Sequence, residues 1–229
     1  MTNMDVCVVA CAELFRGDGE ILASPMGLVP ALGARLARLS FEPDLLLSDG
    51  EATLLTGDGV AEGWLPYRAV FDVVAHGRRH VVMGANQIDR YGNQNISCIG
   101  PHAAPKRQLL GVRGAPGNTV NHRTSYWVPR HSPRVFVPTV DFVAGVGYHR
   151  GGGAFHDVYR VVTDLCVLDF GGPSHAMRLL SVHPGVSVDD VVEQTGFPLV
   201  VEDPGVTRTP TDDELALLST LDPTGARNA

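Results

Sequence analysis

Along this chain the spacing of hydrophobic residues switches between helical and extended periods, and the switches mark its elements. Val8, Cys11, Ala12 and Phe15 recur at helical spacing with Gly17 just beyond, which predicts a short helix over 5–15. Leu28, Leu32, Leu36 and Leu39 form a stripe that leaves out Arg35 and Arg38. An amphipathic helix is therefore predicted over 27–41, with Pro30 in its first turn. Compact apolar runs predict strands at 20–24, 43–48, 80–85, 94–99, 134–137, 159–170 and 177–182. Those at 80–85 and 94–99 are expected to pair with each other around the polar turn between them. Two later helix starts have capping-box spacing, Ser187-x-x-Asp190 and Thr211-x-x-Glu214, each followed by aliphatic residues; Gly196 closes the first. Strands alternate with helices, and the apolar runs are long rather than strictly alternating. That pattern predicts an α/β fold, with an open, mainly parallel sheet flanked by helices on both faces. No linker, repeat or low-complexity segment interrupts it, so 1–229 reads as a single domain.

Composition narrows the class. Hydrophobic residues make up 44% of the 229 positions and charged residues 19%, as in an ordinary soluble globular protein. No apolar run approaches the roughly 20 residues of a membrane span. The first fifteen residues have no basic region and contain acids, unlike a signal peptide. Cys7, Cys11, Cys98 and Cys166 are scattered without a Cys-x-x-Cys pair, so they read as buried thiols suited to a reducing cytoplasm. A net charge of −7 argues against general nucleic-acid or membrane-surface binding. That average hides an asymmetry. Between Asp89 and Asp141 there is no acid, while Arg90, Lys106, Arg107, Arg113, Arg123, Arg130 and Arg134 all fall there. Such a one-signed window suits an anion site, a face for an acidic partner, or a basic solvated surface.

Familiar catalytic motifs are missing: no phosphate loop, no His-Glu-x-x-His, no Gly-x-Ser-x-Gly. "HGRRH" (76–80) reads as a surface turn and "GVGYHRGGGAF" (145–155) as a flexible loop. Two stretches stand out. "GANQIDRYGNQN" (84–95) packs amides and charges into one connection. Its side chains either satisfy backbone groups of a demanding turn or, at Asn86, reach substrate oxygens. Gly111, Gly114 and Gly117 either form a plain glycine turn or aim backbone N–H groups at an oxyanion. A third feature is "LLLSDG" (45–50), a buried strand ending in polar residues, where α/β proteins tend to place their chemistry.

These segments occur in a telling order. "GANQIDRYGNQN", the glycine turn at 114–117, "RVFV", "VVTDLCVLDF", "SVHPGVSVDDVVEQTGF" and "PTDDELALLSTLDP" together resemble the β subunit of family I CoA-transferases of the glutaconate type, over nearly the whole chain. The resemblance implies an open α/β sheet, an active site shared with a separate α subunit in an αβ or α2β2 heteromer, and no metal or redox cofactor. It also implies a nucleophilic glutamate at the end of the "LLLSDG" strand, which attacks the acyl-CoA thioester. Aligned on Gly50, that position is Ser48, which cannot form a glutamyl thioester. Asp49 and Glu51 flank it, but strand neighbours point to opposite faces. A register shift bringing Asp49 into the pocket would make the chain a genuine CoA-transferase subunit.

A branch of the family departs in the same way and hydrolytically opens the last ring of a steroid-derived cyclic β-keto CoA thioester. For that reaction, chemistry and position make Asn86, Ser48 and Arg123 the expected catalytic residues. Ser48 clears room for the ring, while Asn86 and the Gly114–Gly117 backbone polarise substrate oxygens. Arg123 pairs with a substrate carboxylate, with Tyr126 and Trp127 packed against the ring. Asp49 is expected at the substrate. The general base is expected on the α subunit, and the basic window suits CoA phosphates or the partner's surface. A third reading makes the chain a structural subunit that completes a pocket whose chemistry lies on the partner.

Overall fold

Thr2 starts the first helix earlier than the apolar stripe suggests. Its hydroxyl accepts the Asp5 N–H and the Asp5 carboxylate accepts the Thr2 N–H, a reciprocal cap for α1 (Asn3–Glu13). The computed structural model describes residues 1–112, 114–150 and 153–229. Their contacts cluster into two compact units, Met1–Met83 with Thr207–Ala229, and Gly84–Val206.

In the first unit α1 is buried continuously from Asp5 to Ala12 and packs on α2 (Leu28–Ser40). Gly33 makes the approach possible: a Cβ there would stand 2.7 Å from the Cys11 Cβ. The buried face of α2 accordingly runs through Val29, Leu32, Gly33, Leu36 and Ala37, whereas Leu28 and Leu39, expected on the stripe, are exposed. The helix turns its glycine to α1 and so rotates the end leucines outward.

The strands of this unit are β1 (Leu22–Pro25), β2 (Leu46–Ser48), β3 (Thr53–Leu55), β4 (Ala61–Trp64) and β5 (Arg79–Gly84), with α3 (Tyr67–His76) before β5. Their sheet order is β5-β1-β2-β3-β4. β1 pairs in parallel with β2 and with β5, while β2–β3 and β3–β4 are antiparallel. β3 and β4 carry no apolar run because they are half-buried or exposed, so they left no strand signal in the sequence.

The second unit opens with two small hairpins. β6 (Gln87–Ile88) pairs with β7 (Gln94–Asn95), and β8 (Cys98–Ile99) with β9 (Arg107–Gln108). This corrects the expected pairing of 80–85 with 94–99: the second run splits and each half folds onto a nearer partner. Next come α4 (Ala115–Asn121), β10 (Arg123–Val128), β11 (Asp157–Thr163), β12 (Cys166–Asp169), β13 (Arg178–Val182), α5 (Val188–Glu193) and β14 (Val200–Val206). The single strand expected over 159–170 is a hairpin. Thr163 Oγ1 accepts the N–H groups of Leu165 and Cys166 and turns the chain inside the apolar run. Residues 134–137 form no strand; Ser132 O accepts the N–H groups of Val135 and Phe136, leaving one bridge from Ile88 to Phe136. Pairing is parallel for β10–β11 and β13–β14 and antiparallel between them. The predicted open α/β sheet flanked by helices is thus present.

The chain returns to the first unit through α6 (Asp212–Leu221), whose Thr211–Glu214 capping box forms as predicted, as does the Ser187–Asp190 box of α5. Arg208 bridges Glu13 at 2.6 Å and Glu214 at 2.7 Å, and Arg227 bridges Asp5 and Asp222, both at 2.8 Å. All four cysteines are free and buried. Among the described residues no helix is long and apolar enough to cross a membrane.

His131 ties part of the second unit together. Its buried ring stacks on Phe136 at 3.8 Å and its nitrogens lie 3.2 Å from Thr163 Oγ1 and 3.0 Å from Thr195 Oγ1. Burial pushes its pKa down to about 4, so the folded protein holds it neutral where the unfolded chain protonates. The stabilisation is complete above the unfolded pKa of about 6.5 and is lost as pH falls from there towards 4, by roughly 3 kcal/mol. Urea unfolding between pH 7.5 and pH 4.5 should show this loss, and His131→Gln should flatten the curve over that range.

Candidate active site

The end of β2 puts Ser48 and Asp49 in opposite environments. Ser48 is buried, and its Oγ donates to Ala23 O at 2.9 Å, lies 3.3 Å from Ser24 Oγ and accepts the Gly50 N–H at 3.2 Å. On the same face Arg79, only 5% exposed, donates from Nε to Ser24 Oγ at 3.0 Å. Burial lowers the Arg79 pKa to about 10. These side chains meet because β1 lies between β2 and β5: Leu22 is level with both Leu46 and Arg79, so alternate residues from three strands share one face. They line a cavity of about 10 Å³, room for about one water-sized group, walled by Leu22, Leu65, Val70 and Val73 with exposed Glu51 at its rim.

Asp49 points to solvent. Its Oδ1 accepts the N–H groups of Glu51, Ala52 and Thr53 at 2.8, 2.9 and 3.0 Å, an Asx turn that launches β3. Partial burial raises the carboxyl pKa, but the hydrogen bonds from Thr53, Glu51 and Ala52 outweigh it and hold the group below the usual carboxylate range. A carboxylate so engaged is a turn cap and a poor nucleophile.

The remaining candidates lie in the second unit. Asn86 is exposed, and its backbone N–H donates to Asn95 O at 3.0 Å. Its polar neighbours serve the turn. Asp89 accepts the N–H groups of Tyr91 and Asn93 and the Asn93 amide, and Asn95 donates to Gln87 Oε1 and Cys98 O. Of the two readings of this segment, buried turn satisfaction describes Gln87, Asp89, Asn93 and Asn95, while the Asn86 side chain stays at the surface. Gly114 caps α4 with φ −82° and Gly117 lies inside that helix, so the expected glycine turn is a short helix with Pro116 in its first turn. Arg123 Nε is 2.8 Å from Asp157 Oδ2, and its guanidinium sits 4.6 Å above the Tyr159 ring. Tyr126 is wholly buried, its hydroxyl donates to Gly92 O at 3.4 Å, and burial pushes its pKa far up; Trp127 is buried beside it. The ring contact expected of Tyr126 is therefore made with the core. Gly151 and Gly152 of the glycine-rich loop, and Arg113 of the basic window, lie outside the described residues.

Sequence reasoning missed Ser24 and Arg79. "HGRRH" is no surface turn at its end: Arg79 is buried, and His80 is fully buried with its Nδ1 2.6 Å from Asp18 Oδ2. The available signal was the apolar run that follows Arg79, which makes 79–84 a buried strand. Among the described residues no group of three or more His, Cys, Asp and Glu could hold a metal ion.

The Coenzyme A transferase family matches residues 71–194, more than half of the chain. The chain belongs to that family. It is 55% identical to the cholesterol ring-cleaving hydrolase IpdB subunit of Rhodococcus jostii, covering 100% of this chain and 95% of that protein. The crystal structure of Rhodococcus jostii IpdAB superposes with a TM-score of 0.94 at 55% identity, over 100% of this chain and 97% of that one. Similarity to a 3-oxoadipate CoA-transferase subunit of Pseudomonas knackmussii is lower, at 31% identity over 96% of this chain and 93% of that protein.

Two variants test the strand end. Gly50 has φ +87°, and a Cβ there would stand 2.4 Å from the Pro25 carbonyl oxygen. Gly50→Ala should therefore cost roughly 1–3 kcal/mol, read as a lower thermal midpoint, and should reduce turnover by displacing Ser48. Asp49→Asn keeps an acceptor for the turn; it should lower the midpoint slightly and leave kcat of the co-expressed complex within about threefold, whereas a nucleophile would lose several orders of magnitude.

Proposed function

We propose that this chain is the β subunit of a heteromeric hydrolase that opens the last ring of a steroid-derived cyclic β-keto (cyclohexenone) CoA thioester. The observation that carries this reading is the serine at position 48. The strand that bears the nucleophile in a CoA-transferase ends here in a hydroxyl bound into Ala23, Ser24 and Gly50. The adjacent carboxylate in the chain, Asp49, is spent on three backbone N–H groups. Much closer similarity to the ring-cleaving IpdB subunit than to a 3-oxoadipate CoA-transferase subunit supports the same reading.

The chemistry is retro-Claisen hydrolysis. Water adds to the ring ketone as a base removes its proton, and the carbonyl electron pair moves onto oxygen. The tetrahedral adduct then collapses: C=O re-forms, and the C–C bond breaks with its pair delocalised into the thioester as an enolate, which takes up a proton. One water is consumed and no electron is gained or lost, so this reading calls for no metal or redox cofactor. It places the base on a CoA-transferase-like α subunit and assigns Asn86, the α4 backbone at Gly114–Gly117 and Arg123 to substrate polarisation and anion pairing. Exposed Lys106 and Arg107, in the acid-free window, suit CoA phosphates or the partner's surface. It involves neither nucleic acid nor membrane, and four free buried thiols fit a cytoplasmic setting.

The co-expressed subunits, incubated with the cyclic CoA thioester in oxygen-18 water and no acyl acceptor, should release a ring-opened CoA thioester carrying one labelled oxygen in its new carboxylate. An intact ring, with CoA moving only when a free carboxylate is added, would establish the transferase instead.

A further inference from the structure

The buried amides behind Asn86 carry an inference that rests on the hydrolase reading and deepens it. We propose that Gln94 is a positioning residue for the Gly84–Asn86 turn: its side-chain amide holds the Gly84 carbonyl from beneath and so aims the Asn86 side chain at the substrate.

Gln94 is fully buried in β7, whereas Gly84 and Asn86 above it are exposed. Its Nε2 donates to Gly84 O at 2.5 Å, and the Asn86 N–H donates to the carbonyl of the next residue, Asn95, at 3.0 Å. Consecutive residues of β7 therefore hold the turn on both sides of Ala85. The first bond fixes the peptide plane before Ala85 and the second fixes the plane after it, so the direction in which Asn86 leaves the backbone is set from below. β7 is itself a firm base. The Gln94 N–H donates to Gly145 O at 2.9 Å, and Gln94 O accepts the N–H groups of Ala144 and Gly145 at 2.8 and 3.0 Å. The Asn95 side chain is bound to Gln87, Ser97 and Cys98.

The other atom of the Gln94 amide shows what it is there for. Oε1 is buried and has no hydrogen-bond partner among the described residues. Turning the amide over would set two oxygens face to face at Gly84, so the donor stays on that carbonyl. An apolar side chain of similar length would fill the same space and leave no acceptor unmet, so packing alone does not call for glutamine. What the amide adds is the bond to Gly84. A Cβ at Gly145 would stand 3.0 Å from Gln94 Oε1 and 2.9 Å from Thr119 Cγ2. Gly145 thus packs between Gln94 and α4, the other element assigned to substrate polarisation. A hydrogen bond from Asn86 to a substrate oxygen weakens steeply when misaligned, and a displacement of about 1 Å can cost on the order of 100-fold in rate.

The test uses the co-expressed αβ complex. Gln94→Met, which fills the space without a donor, should lower kcat for ring opening roughly 10- to 100-fold and change KM by less than about threefold. Combined with Asn86→Ala, it should be no slower than Asn86→Ala alone to within about threefold, because Gln94 acts through Asn86. A merely structural role would make the two losses multiply. Should methionine prevent assembly, Gln94→Glu keeps the shape. Its carboxylate cannot donate to Gly84 O but its protonated form can, and burial raises that carboxyl, so its kcat relative to wild type should rise as pH falls from about 8.5 to about 6. A Gln94→Met complex within about threefold of wild type, a Gln94→Glu ratio flat with pH, or losses that multiply in the double variant would overturn the assignment and leave the hydrolase standing. An Asn86→Ala complex with undiminished kcat would remove the Asn86 role and this one with it. A wild-type complex that leaves the ring intact would remove the reading on which both rest.

Discussion

Everything at the candidate site depends on the parallel pairing of β1 between β2 and β5. That pairing sets Leu22 level with Leu46 on one side and with Arg79 on the other. Because side chains alternate, the same face then carries Ser24, Ser48 and the Arg79 side chain, residues far apart in the chain. A slip of one residue on either side would turn one member to the opposite face and break the Arg79–Ser24–Ser48 contacts. Gly50 closes the arrangement. Its left-handed backbone and near contact with Pro25 bring its N–H onto Ser48 Oγ and let the chain leave the strand without a side chain in the way.

Serine at position 48 ends the strand in a hydroxyl bound into Ala23, Ser24 and Gly50. Asp49 turns to solvent and caps the β3 turn, and Glu51 stands at the cavity rim. The family scaffold is thereby kept with a hydrogen-bonded hydroxyl at the strand end.

The frame that holds these strands is ionic as well as apolar. α1 is buried along its length, yet Asp5 and Glu13 sit near its two ends and each accepts an arginine from the C-terminal segment. Arg208 and Arg227 each bridge two carboxylates, so α6 and the residues around it are fastened to α1 by charge-assisted hydrogen bonds.

The sequence by itself determined what is local. The period of the apolar residues placed α1, α2, β1, β2, β5 and β13 but missed β10 and β14, and the Ser187–Asp190 and Thr211–Glu214 boxes placed the starts of α5 and α6. Motif order pointed to the family, and position 48 holds serine where the resemblance implies a glutamate. Tertiary structure decided what depends on residues distant in the chain. It split 94–99 between two hairpins, folded 159–170 into another and put Gly117 inside a helix capped by Gly114. It buried Tyr126, engaged Asp49 in a turn, and brought Ser24 and Arg79 to Ser48. The reason is physical: spacing and caps are written in neighbouring residues, whereas which strand lies beside which, and so which side chains share a face, is settled only when the sheet assembles.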